Sequence, residues 1–548
     1  MKLRTSSFNL TVLKKDITRF APAWGLYLTG MLLSMLTFFP NSEYHLSRDL
    51  SLTINLLSVI NLGYALVCGA LVFGDLFNSR LCNALHAMPL RRESWFVTHL
   101  VSGLLFSLVP NLVVALCMMP RLGPFWFTGL IWVGGLSLSY LFCFGAAALS
   151  AMCTGSRFAM TLVYGLINFM SILAMWTVQY LFEPLLFGIQ INTLPFVFLS
   201  PVSWLCSREL AFVDFSVGYA LNGWPYLAGI GFIGILLLVA ALLVYRKRHL
   251  EGAGDFITVR FLSPVFLVLY SLAAGMLLFL FFNLFGTDTN YLFLAIGIAM
   301  GFITGRMLLS RTVKVFKPGT FIGLAVMLAV VFGSLGLMEI DAFGVVRWMP
   351  NEENVSSITI RDLKDECSYT ADTAEEIREL MDIHSDILSG EQQDSNQWGT
   401  YVTLSYHLAD GRTVHRRYPV DYAQNSGQVL ARWFSKPEYV LNTDDLEALK
   451  ENLNYIVLDS YAVPSDHIES GEDAKELLEA IIADCEAGHM NQDWNYHHMY
   501  AASSDKADPW GYMTLHFLRQ QEIHLEIWYG AENTIAWLQA HAEDTLVR

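Results

Sequence analysis

Residues able to do chemistry are sparse in this chain. Asp484, His489, Asp493, His497 and His498 are of types that bind metals or move protons. A metal site needs such side chains to converge on one point. Their spacing gives no such pattern, so they read as a polar loop. Cys367 and Cys485 could pair only if the fold brings them within disulfide reach. A nucleotide cradle needs close-approaching glycines and a lysine, as in G-x-x-x-x-G-K-[ST], and no Gly-Lys dipeptide occurs. With no nucleophile motif and no basic, aromatic nucleic-acid surface either, the chain reads as a non-enzyme with no cofactor of its own.

One stretch is left with evident work to do. Residues 75–94 (DLFNSRLCNALHAMPLRRES) form a polar segment between two long apolar runs. Phe77, Leu81, Leu85 and Met88 recur at spacings of three and four, which predicts a helix with one apolar stripe. Pro89 stops that helix, and Arg91 and Arg92 follow. A short amphipathic helix with a basic turn, held at a membrane face, can grip a soluble partner. It can also simply lie on the headgroups.

The elements around it are membrane spans. The 548 residues have a mean hydropathy of +0.41, with 54% apolar and 15% charged residues, outside the range of ordinary soluble chains. A helix needs about 20 apolar residues to cross a bilayer core. Nine such runs are present, near 21–39, 52–74, 95–118, 125–150, 158–182, 223–245, 263–285, 291–309 and 319–338. The first is not a cleaved leader, because no small-x-small site follows it. With the N-terminus inside, 17 of the 20 Lys and Arg before position 339 fall in inner segments, as short cytoplasmic loops require. Arg48, Arg121 and Arg208 are the exceptions. A tenth span at 184–200 would put the 246–249 RKRH cluster outside, so that stretch reads as a re-entrant or surface-lying hairpin. Arg306 is the ionisable residue read within a span. Asn55, Asn61, Asn168 and Asn283 read as helix-to-helix hydrogen-bond partners.

Charge separates the two halves of the design. Residues 1–338 hold 20 Lys and Arg against 11 Asp and Glu, and residues 339–548 hold 14 against 39. Nine crossings from an inside start place the acidic part outside. Within it, Trp398–Val420 and Trp510–Trp528 both open on Trp-Gly and alternate like hairpins. Asp410-Gly411 marks the first turn. An acidic-start helix precedes each hairpin, near Thr370 and near Ser470. Strands at 355–360 and 454–461 precede the helices. The order strand, helix, hairpin, helix thus occurs twice, about 350–450 and 451–540, and suggests duplication. The expected fold is a polytopic α-helical membrane protein of about nine transmembrane helices with a C-terminal extracytoplasmic α+β domain.

The run NALHAMPLRRESWFVTHLVSGLLF resembles the first cytoplasmic loop of permease subunits of bacterial ABC-2 type ABC transporters, where a stretch such as LPLSR precedes the third span. His86, Pro89 and Arg92 match by position. The likeness extends over residues 1–245 as a six-span core, with three further spans over 246–338 and the outer domain over 339–548, as in extended Gram-positive permeases. The resemblance implies the permease subunit of an ATP-driven exporter in the plasma membrane. Leu81, Leu85, His86, Met88, Pro89 and Arg92 would then contact a separate ABC ATPase that holds ATP and Mg. Membrane lipid and a second permease copy or paralogue would be further partners, with no nucleic acid. The run Leu388-Ser389-Gly390-Glu391-Gln392 imitates an ABC ATPase signature, but it lies outside on this topology with no Walker motif beside it. A membrane sensor or envelope-interaction protein whose outer domain binds a ligand is the alternative.

Overall fold

Backbone polar groups in hydrocarbon must bond within their own segment, which makes apolar runs helical. The computed structural model follows that rule. It describes residues 8–38, 46–86, 91–122, 125–189, 191, 211–215, 218–248, 253–286, 290–361, 368–389, 400–420, 433–441, 443, 446–460, 467–490, 511–517, 522–527 and 530–545. The chain divides into two units: Met1–Pro184 with Ile191–Gly336, and Leu185–Gln190 with Leu337–Arg548.

The first unit is helical. An amphipathic helix α1 (Leu10–Arg19) starts at Asn9, whose side chain accepts from the amides of Thr11 and Val12. There follow α2 (Ala21–Phe38), α3 (Leu46–Val72), α4 (Ser79–His86), α5 (Arg92–Leu122), α6 (Phe127–Cys153) and α7 (Arg157–Thr177). After a small hairpin, β1 (Phe212–Phe215) with β2 (Gly218–Leu221), come α8 (Trp224–Lys247), α9 (Leu262–Asn283), α10 (Asn290–Ser310) and α11 (Pro318–Glu339). Among the described residues, α3, α5, α6, α7, α8, α9, α10 and α11 are long and apolar enough to cross a membrane. The run expected near 21–39 forms α2, which counts as a shorter apolar helix over its Ala21–Leu36 part.

Packing follows from small residues and from a few polar side chains. A Cβ at Gly145 would come within 2.7 Å of the Gly234 carbonyl oxygen, and one at Gly234 within 2.8 Å of Phe142 backbone. So α6 and α8 touch backbone to backbone. Gly297 and Gly301 of α10 do the same against Ala274, Gly275 and Ser271 of α9. Asn61 acts as expected across helices: it accepts from Tyr27 Oη (2.9 Å) and donates to the Leu136 carbonyl (3.2 Å). Asn168 instead bonds back within its own helix, to Tyr164.

The second unit holds two four-stranded antiparallel sheets. The first is β4-β3-β5-β6, from β3 (Val355–Arg361), β4 (Ser368–Ala371), β5 (Thr400–Leu408) and β6 (Thr413–Val420). The second is β10-β9-β7-β8, from β7 (Leu453–Ser460), β8 (His467–Ser470), β9 (Gly511–Phe517) and β10 (Glu522–Ile527). Helix α12 (Ala374–Ser389) covers the first sheet with Ile377, Leu380 and Ile383. After α13 (Leu446–Asn452), helices α14 (Glu472–Glu486) and α15 (Glu532–Thr545) cover the second. Two details differ from the sequence reading. Thr370 and Ser470 lie in β4 and β8, and the helices start at Ala374 and Glu472. Strands of four residues are too short to show a period-two pattern, so their neighbours' helical signal absorbed them. The hairpin stretch 184–200 also contributes differently: Leu185–Gln190 joins this second unit. Ile189 bridges to Arg416 on the outer side of β6, and the Arg417 amide donates to the Gly188 carbonyl at 3.0 Å. Residues 192–200 lie outside the described residues.

Candidate functional site

The polar segment between α3 and α5 does not form one continuous helix. Gly74–Phe77 is a separate 3-10 turn, and Asn78 then caps α4, its Oδ1 accepting from the amides of Arg80 (3.0 Å) and Leu81 (3.4 Å). A capping asparagine competes with helix continuation, so Phe77 falls outside the predicted stripe. Among the described residues of the segment before α5, Leu76 and Cys82 are buried, whereas Leu81 is 45% exposed. Leu85 and His86 lie in the last turn of α4. Met88 and Pro89 lie outside the described residues. Arg92 opens α5, and its Nη1 donates to the Arg248 carbonyl at 3.5 Å.

Arg248 is the anchor of this region. Its side chain is buried. One guanidinium nitrogen donates to the carbonyls of Ala151 (2.7 Å) and Met152 (3.1 Å), in the last turn of α6. The other reaches the Leu76 carbonyl at 3.4 Å. The last carbonyls of a helix lack intrahelical partners and carry the negative end of its dipole. A guanidinium fork is suited to collecting several of them. The desolvation of this charge is thereby offset, and α6 is joined to the start of the polar segment. Two further ion pairs lie nearby: half-buried Asp75 with Arg19 of α1 (3.7 Å) and, exposed, Glu93 of α5 with Arg246 of α8 (2.8 Å). Burial pushes the Cys82 thiol up, against the opposing pull of Arg248 and Arg92, which leaves it a packing residue and not a nucleophile.

Helix α1 is bound to the same end. His99 Nδ1 of α5 lies 2.7 Å from Asp16 Oδ2, too oblique for a hydrogen bond but at ion-pair distance, and both residues are buried. Ser102 Oγ donates to the same carboxylate oxygen at 2.9 Å, and the Asn9 amide donates to Thr98 Oγ1 at 3.1 Å. This corrects the reading of Arg306 as the ionisable residue within a span, since His99 also lies within a spanning helix. Its placement is tolerated because α1 brings a partner to it. The signal was present in the sequence as a lone histidine in an apolar run and a lone acid in a basic helix.

The second unit contains no ligand set among the described residues. Asp484 is buried and serves structure: its oxygens accept from the amides of Asn533 and Thr534, from Asn533 Nδ2 (2.8 Å) and from Thr534 Oγ1 (2.6 Å), at the start of α15. Asp493, His497 and His498 lie outside the described residues, as does Cys367. Cys485 is a buried free thiol, raised by burial. Among the described residues, the buried histidine of this unit is His384 on α12, missed by the sequence reading. Its ring nitrogens contact Tyr406 Oη (2.7 Å) and Tyr418 Oη (2.5 Å), and burial lowers its pKa to about 4. No protein-family model, curated protein or solved structure matches the chain.

Proposed function

We propose that this chain is the membrane-spanning subunit of an ATP-driven exporter, coupled through residues 75–94 to a separate ATP-hydrolysing subunit. The observation that supports this reading most is the short helix α4 at one end of the helical unit. It presents Leu81 outward, while the segment before it is joined to α6 through Arg248. A docking element needs an exposed apolar residue and a stiff connection to the helices it must move. ATP and Mg belong to the partner subunit in this reading. In this reading α2 is a ninth crossing of a plasma membrane, with the N-terminus on the inner side and the acidic domain outside, and the distribution of basic residues over the loops supports it.

Replacing Leu81 with Asp tests the proposal. Burying an unpaired carboxylate in a docking groove costs about 3 kcal/mol or more, which lowers the association constant about 100-fold. Residue 81 lies outside the apolar helices, so the variant inserts and accumulates normally. The measurement is recovery of the ATPase with tagged wild-type and variant chains, with membrane content as the control. Full recovery with the variant removes residues 75–94 as the coupling element. No ATPase recovered with the wild type would favour a membrane sensor whose outer domain binds a ligand.

A further inference from the structure

We propose that a groove between α7 and α9 holds an acyl chain of an anionic phospholipid, with its headgroup at Arg157 and Arg260. This goes beyond the exporter reading and stands on the membrane-spanning helices alone. The groove has a volume of about 790 Å³ and is lined by Gly165, Phe169 and Trp176 of α7 and by Tyr270, Ala274 and Leu277 of α9, among others. That volume lies within the range of about 300–1,000 Å³ typical of small-ligand sites. A packed transmembrane helix would instead meet a seam of small residues with no pocket. The few hydroxyls in the lining do not ask for a polar ligand: Thr161 Oγ1 bonds back to the Arg157 carbonyl at 3.1 Å.

The end of the groove is defined by backbone pairing. Thr154 bridges to Ile257, the Gly155 amide donates to the Asp255 carbonyl (2.9 Å), and the Thr258 amide to the Cys153 carbonyl (2.9 Å). Phe158 of α7 meets Phe256 edge-on, and Phe256 meets Phe266 of α9, which brings the starts of the two helices near each other. Ala159 and Phe266, one turn into each, pack in one cluster. Arg157 is the first residue of α7, and Arg260 stands just before α9. Both are exposed, and neither has an ion-pair partner among the described residues. The guanidinium of Arg157 lies beside Gly74. The nearby acids are already paired, Asp255 with Arg311 and Asp75 with Arg19. Two cations without an ion-pair partner among the described residues thus flank the starts of the two helices that line the groove. In a bilayer every lipid offers acyl chains, so the charge at this end selects the headgroup.

The test uses the full-length chain purified in detergent, with dioleoyl phosphatidylglycerol and dioleoyl phosphatidylcholine added at equal concentration and bound lipid counted by native mass spectrometry. Two arginines near the headgroup favour the anionic lipid by about tenfold. A Cβ at Gly165 meets nothing within 4 Å, so a side chain can start there, and Gly165→Phe should occupy the groove and remove most of the retained phosphatidylglycerol. Leu277→Trp is a second filling variant with the same expectation. The Arg157→Gln, Arg260→Gln double variant should take both lipids equally. Equal retention of the two lipids by the wild type, or phosphatidylglycerol retention unchanged in both filling variants, overturns the proposal. Disulfide-linked dimers of a Phe169→Cys chain in membranes would also overturn it, by showing that a second copy covers the groove.

Discussion

The two sheets of the second unit are built alike and filled differently. Both follow one strand order, and both carry the same irregularity: the pairing slips once at Val355/Ser357 against β5 and once at Leu453/Tyr455 against β9. A cross-strand hydroxyl–imidazole pair also recurs, Ser405 with His415 (2.8 Å) and Thr514 with His524 (2.9 Å). The polar groups under the covering helices do not recur. The first module buries an imidazole between two phenols, one of which, Tyr418, stacks near Phe187 of the added 185–190 segment. The second buries the Asp484 carboxylate on the start of its own last helix. Backbone pairing sets the frame, and the buried polar group is fitted to whatever each module must hold: a distant segment in one, an adjacent helix in the other.

The sharpest way to separate the modules is Asp484→Ala. It strands the amides and side chains of Asn533 and Thr534. The second module should lose about 4 kcal/mol, read as faster hydrogen exchange in β7 and β9, with β3 and β5 unchanged. Equal loss in both modules would mean that they unfold as one.

Acid should act on the other module. His384 has its pKa lowered from 6.5 to about 4, chiefly by burial and then by Arg416. The unfolded chain therefore takes up the proton first as pH falls. This contribution is complete above about pH 6.5, declines between about 6.5 and 4, and is level below that, a span of about 3 kcal/mol. Protection factors in β3 and β5, corrected for the intrinsic pH dependence of exchange, should fall between pH 7 and 5 through this group, and His384→Gln should flatten that fall. No buried histidine occurs among the described residues of the second module, so β7 and β9 should lack it.

The most local effect concerns the added segment. Gly188 has φ +74°, and a Cβ there would fall 1.9 Å from the Tyr418 ring. Gly188→Ala costs about 1–2 kcal/mol from the left-handed backbone alone. It should speed exchange at the Arg417 amide by about tenfold, with little change in β7. An unchanged Arg417 amide would show that the segment contributes nothing to the edge of β6.

The spans were legible because twenty apolar residues in a row leave the backbone one solution. The strands β3, β5, β7 and β9 were legible through alternation. What escaped was whatever depends on partners far away in sequence. Arg248 read as one of a basic cluster, yet it is buried on the carbonyls of α6 and Leu76. His99 was passed over because its partner, Asp16, sits in another helix. The predicted stripe of the polar segment ran from Phe77 into Leu81, but the cap at Asn78 resets the helix phase, leaves Phe77 outside α4 and turns Cys82 inward. Local pattern cannot show such a reset until the cap is known.

The bridge between Ile189 and Arg416 also has a consequence for synthesis. A ribosome adding about 5–20 residues per second makes its two halves tens of seconds apart. Through that interval Phe187 and Ile189 have no β6 to lie against. The first sheet cannot close its edge until the chain has been made past β6, so its completion is timed by translation, whereas every described strand pairing of the second module is made within one late stretch of chain. A ribosome that stalls between the two halves would leave an apolar segment waiting for its strand.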